Sequence, residues 1–322
     1  MPTWDKIGHE IQEHAEDPGR CDIVRRRYLT RLAEHTGRDV ILYAAKCTQW
    51  GPNLTSDAVS VSHEDMQGIM TVVHGLRGPR LDLIIHSTGG SLEAAECMVT
   101  YLRSRFRHIR VVVPHIAMSA AAAMALGGDV LLLGKHSFLG PIDPQIRIPT
   151  PLGTRWVPAQ AILAQFEQAE QDCTEDPKKL PVWVPMLAQY GPDLLQVCKN
   201  VSEMARTLAA RWLRSYMFRR VSEPARTERA VAIASWLGDH QQFKSHGRCL
   251  EREELASHGV RIEKLEKDDD LQDLVLSVFH ATTHTFQQTP AVKVIENQNE
   301  RAFIQQVQVV QVQRPVQPAA GT

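Results

Sequence analysis

The sequence predicts an α/β fold built on a mostly parallel sheet, and three observations carry that prediction. Short runs rich in Val, Ile and Leu stand at residues 40–44, 81–85, 109–113 and 130–133, with the length and branching of buried strands rather than helices. Between them lie segments with helical apolar spacing, such as Met66, Ile69, Met70 and Val73, or the Ala-rich stretch from Ala117 to Leu126. Gly and Pro mark the junctions, at Gly51-Pro52-Asn53, Gly78-Pro79 and Pro114. A repeated strand, helix, strand order gives parallel pairing with right-handed crossovers. In such sheets ligands bind beyond the carboxyl ends of the strands.

Taken in order, residues 1–38 are charged with helical spacing and read as an N-terminal helical segment. Residues 39–300 form the main domain. Ser62 reads as a helix cap, and the glycine- and proline-rich loop 134–151 precedes a helical insertion at about 158–218. In that insertion Met204, Leu208, Trp212, Leu213 and Tyr216 share one face, which reads as core. Asp268-Asp269-Asp270 lacks the turn glycine of a calcium loop, and it precedes an apolar helix from Leu271 to Phe279, whose positive N-terminal end favours acidic side chains. His280 and His284 then read as capping the end of that helix rather than as a metal pair. Residues 301–322 close the chain with a strand, alternating from Val307 to Val312, and a disordered Pro- and Gln-rich tail.

Composition excludes several classes. A chain of 322 residues, 43% hydrophobic, can bury a large core. Its 36 basic and 37 acidic residues leave a formal charge of −1, so no global field recruits nucleic acid or anionic membrane. Arg25-Arg26-Arg27 and Arg219-Arg220 read as solvated helix faces or helix ends. The six cysteines include no Cys-x-x-Cys pair and read as reduced thiols of a cytoplasmic protein. Charges run from Asp5 to Glu16, unlike a secretory leader, and no apolar run approaches the ~20 residues of a spanning helix. His9 and His14 sit one residue too far apart for a zinc-protease helix, and no P-loop occurs, so neither a metal nor a cofactor is expected.

Two segments carry chemistry. Ser119 stands where the strand ending at Pro114 gives way to the Ala-rich helix. A hydroxyl there lies beside unpaired N–H groups and the positive end of a helix dipole, which favour an acyl-transfer oxyanion. Serine is also a frequent N-cap, so capping stands as the plain alternative. Upstream, the strand at 81–85 runs into His86-Ser87-Thr88-Gly89-Gly90-Ser91, and paired glycines let a backbone N–H approach a bound carbonyl or simply make a tight turn.

In this order the two segments resemble the Clp protease and signal peptide peptidase A serine peptidases, of the Clp/crotonase fold, with Thr88 in place of the usual Pro. The closer resemblance is to the serine dehydrogenase proteinase family. It rests on His86-Ser87-Thr88-Gly89-Gly90, on residues 113–120, on 134–145 with its Gly-Pro-Ile-Asp-Pro-Gln stretch, and on Ser245-His246-Gly247-Arg248, over roughly residues 40–300. The resemblance implies a serine-type endopeptidase with Ser119 as nucleophile and an oxyanion hole from the amides of Gly89, with Gly90 in the same loop, and Ala120. It further implies protein or peptide substrates, a homo-oligomer and no ATPase domain in the same chain.

The general base stays open. Clp proteases place a His where this chain has Asp143, and a triad Asp where it has Gly247, next to His246. A rearranged set of Ser119, His246 and Asp143 is one solution; His246 as a substrate contact is another. His136 and the lysines Lys178 and Lys179 are alternative bases, although an exposed lysine keeps its proton at neutral pH. Two further functions compete: a catalytically silent scaffold or partner-binding subunit, and crotonase-like acyl-CoA chemistry, which needs no serine at the helix start.

Overall fold

The computed structural model describes residues 2–49, 51, 54–150, 153–188, 190–191 and 193–307. The chain opens with helices α1 (Trp4–Gln12) and α2 (Arg20–Thr36), then alternates β1 (Asp39–Ala45), α3 (Ser56–Val59), α4 (Asp65–Val73), β2 (Arg80–His86), α5 (Leu92–Arg105) and β3 (His108–Val113). The short β4 (Ile116–Ala117) leads into α6 (Ala120–Leu126), β5 (Val130–Leu133) and β6 (Phe138–Leu139). A hairpin of β7 (Gln145–Thr150) and β8 (Gly153–Pro158) follows, where the sequence reading has only a loop. Its strands carry Pro149 and Pro158, and only Ile146, Ile148 and Val157 turn inward, onto a small core with Ile162 and Cys198, an alternation too short to mark a strand in the sequence.

The helical insertion comprises α7 (Ala159–Glu175), α8 (Leu180–Leu187) and α9 (Leu194–Trp212), the last continuing through a π turn to Met217. Then come α10 (Ala225–Leu237), α11 (His240–Phe243), β9 (Leu250–Glu251), α12 (Arg252–Ser257), β10 (Ile262–Lys264), α13 (Asp269–Gln288), β11 (Ala291–Asn297) and β12 (Ala302–Gln306). Val307 ends the description, so most of the strand read at residues 307–312, like the tail and the Pro52-Asn53 turn, lies outside the described residues.

Among the described residues, seven strands form the main sheet in the order β10-β5-β3-β2-β1-β11-β12. The pairs from β10 to β1 are parallel, while β11 and β12 join antiparallel at one edge. This is a mixed α/β, mostly parallel architecture, as the sequence predicts. Period-two alternation assigns side chains to opposite faces. Ile41, Tyr43, Leu83, Ile85, Val111 and Val113 pack with α5, α6, α9 and α10, whereas Val40, Leu42, Ile84 and Val112 pack with α1, α2 and α13. Leu208, Trp212 and Leu213 of the insertion join the first of these cores, with Met204 and Tyr216 at its edge.

Three local readings change. Arg25 is wholly buried rather than solvated, because its guanidinium is held by Glu296 at 2.5 Å, Thr285 at 2.6 Å and Asp22 at 2.7 Å. The helix opening at the Asp268 cap runs on to Gln288, which puts His280 and His284 inside it. His284 is stacked on Trp4, so packing and not dipole capping holds it. Ser62 donates its backbone N–H to the Asp65 carboxylate at 2.9 Å, so the acidic side chain reaches back to the turn before α4.

Candidate active site

Both chemistry-bearing segments lie beyond the carboxyl ends of neighbouring parallel strands, β2 and β3. They are stitched together by backbone bonds: Ser87 N–H donates to Ile116 O at 3.2 Å and Met118 N–H to Ser87 O at 3.0 Å. Glycine is required at the crossing. A Cβ on Gly89, whose φ is +94°, would stand 2.6 Å from Met118 O, 2.7 Å from Ser119 Cβ and 2.8 Å from Ala120 N. Gly90, at φ +151°, would collide with the Val61 backbone at 2.4 Å. Each glycine thus admits a backbone approach that no other residue allows.

Ser119 occupies the N-cap position of α6, yet its side chain caps nothing. Its backbone sits at φ 53°, ψ −125°, a region that costs a non-glycine residue about 1–3 kcal/mol and tends to mark functional positions. The turn leaves Ser119 partly exposed at the mouth of a helix whose residues Ala120 to Leu126 are all buried. Its hydroxyl makes no hydrogen bond among the described residues. A plain capping role therefore does not account for this serine.

The amides redistribute the expected donors. Gly89 N–H is committed to Ser87 Oγ at 3.1 Å, so it is not free for a substrate oxygen. Gly90 N–H and Ala120 N–H make no hydrogen bond among the described residues, and Gly90 is exposed where Gly89 is buried. The N–H read as a donor at Gly89 is thus engaged within its own loop, whereas Gly89 itself permits the close approach to Met118 and Ser119.

Asp143, only 1% exposed, lies in the Gly-Pro-Ile-Asp-Pro-Gln stretch. Its Oδ1 meets His246 Nδ1 at 2.7 Å, and its Oδ2 meets His240 Nδ1 at 2.8 Å. Gln145 Nε2 adds a longer bond to Oδ2 at 3.3 Å. A carboxylate acceptor puts the hydrogen of His246 on Nδ1 and leaves Nε2 with its lone pair. His246 and Ser119 line one cavity of about 650 Å³ together with Thr88, Gly89, Gly90 and Ala120. Ile142, Trp156, Met204 and Ala205 form its more apolar wall.

The alternative bases go elsewhere. His136 faces a separate cavity with Lys135, Arg252 and Glu266, and burial lowers its proton affinity. Lys179 is on an exposed turn, hydrogen-bonded to Asp172 at 3.1 Å, which raises its pKa and keeps it charged. Lys178, beside it, is likewise exposed. None of the three lines the Ser119 cavity. His240 escapes the sequence reading altogether, since a lone His on a four-residue helix has no periodicity or motif to mark it. No group of described residues is arranged to hold a metal ion, and no described helix is long and apolar enough to cross a membrane.

Parts of this chain are similar to known proteins. Residues 61–184 match the family described as ClpP-like SDH-type serine proteinase. Two uncharacterised proteins of Methanocaldococcus jannaschii are similar, one 33% identical over 117 residues (36% of this chain, 38% of the relative) and one 39% identical over 66 residues (20% and 23%). The chain thus spans well under half the length of these curated relatives. Among solved structures, a membrane-bound stomatin-specific protease aligns with a TM-score of 0.40 at 10% identity, covering 67% of this chain and 79% of that one. The matched segment holds the Gly-Gly loop, Ser119 and Asp143, and over it the chain is similar to the ClpP-like SDH-type serine proteinases.

Proposed function

We propose that the chain is an ATP-independent serine endopeptidase in which Ser119 is the nucleophile, His246 the general base and Asp143 the group that orients the base. Ser119 Oγ attacks the scissile carbonyl carbon while His246 Nε2 takes the hydroxyl proton. The oxyanion is received by the N–H groups of Gly90 and Ala120. His246 then passes its proton to the leaving amine, and water hydrolyses the acyl-enzyme by the same route in reverse. The observation that supports this reading best is the 2.7 Å contact of His246 with a buried carboxylate, made by a histidine that shares its cavity with Ser119. An extended polypeptide suits that cavity better than a compact metabolite, because it is an open cleft between the Gly-Gly loop and the insertion.

A cytoplasmic homo-oligomer belongs to the same reading. Leu180, Val182, Val184 and Met186 on α8 are all exposed, apolar surface around the helix that a second copy would cover. A catalytically silent scaffold is the second reading, favoured by the missing Ser119–His246 hydrogen bond, although unliganded sites commonly carry looser contacts. The test is hydrolysis of an unfolded protein such as reduced casein by the purified chain without ATP. Cleavage that disappears in Ser119→Ala supports the peptidase. Cleavage retained in that variant, or absent without nucleotide, removes it.

A further inference from the structure

The buried carboxylate of Asp143 serves two imidazoles, and the proposed mechanism uses only one. His240 and His246 flank the single turn of α11, and each directs Nδ1 at a different oxygen of the same side chain, at 2.8 and 2.7 Å. His240 is the better sheltered, with 16% of its side chain exposed against 26% for His246. It does not line the Ser119 cavity, so it has no direct part in the reaction.

Its backbone is held with unusual care for so short a helix. Gln160, on α7, clasps the preceding turn from both sides: its Nε2 donates to Gly238 O at 2.7 Å and its Oε1 accepts from His240 N–H at 2.8 Å. The Asp239 carboxylate caps the helix by accepting from Gln241 N–H at 2.9 Å. Lys244, left-handed at φ +60°, closes it with a bond to His240 O at 2.7 Å and turns the chain toward His246. On the other side, Ile142 N–H donates to Leu237 O at 2.9 Å and Ala159 N–H to Pro144 O at 2.9 Å. Asp143 and His240 are therefore brought together by ties on both flanks of each residue, from three different parts of the chain.

We infer that His240 is a positioning residue, whose Nδ1–H locks the Asp143 carboxylate so that Oδ1 stays aimed at His246. Without His240, Oδ2 keeps only the longer 3.3 Å bond from Gln145, which holds the plane of the carboxylate less firmly than the 2.8 Å bond does. The orientation passes to the His246 ring and so to the direction of its Nε2 lone pair. Outer groups that orient a functional ligand in this way typically change activity by about 10–100-fold when removed. The inference rests on the peptidase reading above, since without a working Ser119–His246 pair there is nothing for His240 to position.

The test measures labelling kinetics of the full chain with a fluorophosphonate probe, separating the maximal inactivation rate from the probe concentration at half-maximal rate. His240→Ala is expected to lower the maximal rate about tenfold with the half-maximal concentration unchanged, because positioning acts on nucleophile activation rather than on probe binding. His240→Asn, whose side-chain N–H stands near the place of Nδ1–H, is expected to recover most of the loss, within about threefold of the parent. A residue that merely fills space would give similar rates in both variants, with any deficit following the melting temperature. Equal rates in His240→Ala, His240→Asn and the parent, or equal losses in the two variants, overturn the inference. Failure of the underlying reading looks different: the parent chain is not labelled at Ser119, or His246→Ala is labelled as fast as the parent.

Discussion

The two sides of the cavity are held by different means. On the side of the proposed nucleophile, Ser119, Gly89 and Ala120 are fixed by backbone: strand ends, a helix start, positive φ values and contacts too tight for a Cβ. On the base side, His246 is partly exposed on a turn after a four-residue helix, and it owes its orientation to one side-chain carboxylate. Backbone placement tolerates side-chain change and fails as a unit when the loop moves. Side-chain placement fails at single atoms. The comparison predicts that the nucleophile side responds to added volume, and the base side to lost hydrogen bonds.

The largest expected effect is that of Ser119→Ala, which removes the reacting atom and should lower peptide hydrolysis by about 10⁵-fold or more, to background. Because the hydroxyl caps nothing, its loss should leave the melting temperature nearly unchanged; a fall of many degrees would restore a capping role to this serine. Next comes Asp143→Asn, measured by the same hydrolysis assay. An amide can accept from only one imidazole and presents a donor to the other, so His246 loses its tautomer and activity should fall by about 10⁴-fold. An Asp143→Asn variant within tenfold of the parent would mean that His246 is held by something else.

On the nucleophile side, Gly89→Ala should cost about a hundredfold in kcat, the value of one misplaced oxyanion donor, together with some stability from the forced φ. Here the melting curve and the rate should fall together, in contrast to Asp143→Asn. An unchanged kcat would show that the loop is only a turn.

The smallest effect concerns the histidines that face no substrate. His86 is buried at 1% exposure, and desolvation lowers its pKa from 6.5 to about 3, while His280 drops to about 4. As pH falls below about 6.5 the unfolded chain takes up protons that these folded side chains refuse, so stability declines with falling pH until their folded pKa values are reached. Each contributes a slope of about 1 kcal/mol per pH unit in that window. Thermal melts from pH 7 to pH 4.5 should show the decline, and His86→Gln should make it shallower. An unaltered slope would place the acid sensitivity elsewhere.

What could be read in the sequence follows the same division. The parallel sheet, the Gly-Gly loop and the helix-start serine are legible because each is a local pattern: β-branched runs, paired glycines, an Ala-rich helix. The β7–β8 hairpin leaves only a short trace, Ile146 and Ile148 turned onto a small core, interrupted by Pro149. The shift of the free amide from Gly89 to Gly90 depends on where Ser87 Oγ points, which no spacing reveals. His240 and His246 meet Asp143 from about a hundred residues away in sequence, and only the folded chain displays that they share it. Arg25 misleads for a related reason, because its buried partner Glu296 lies at the far end of the chain.

The central claim, that Ser119 is activated by His246, is tested most directly by fluorophosphonate labelling of the native protein followed by peptide mass spectrometry. Modification is expected on Ser119 alone in the parent chain, with near-complete loss in His246→Ala, both proteins being equally folded by circular dichroism. Modification of a different serine, or undiminished modification of Ser119 in His246→Ala, would contradict it.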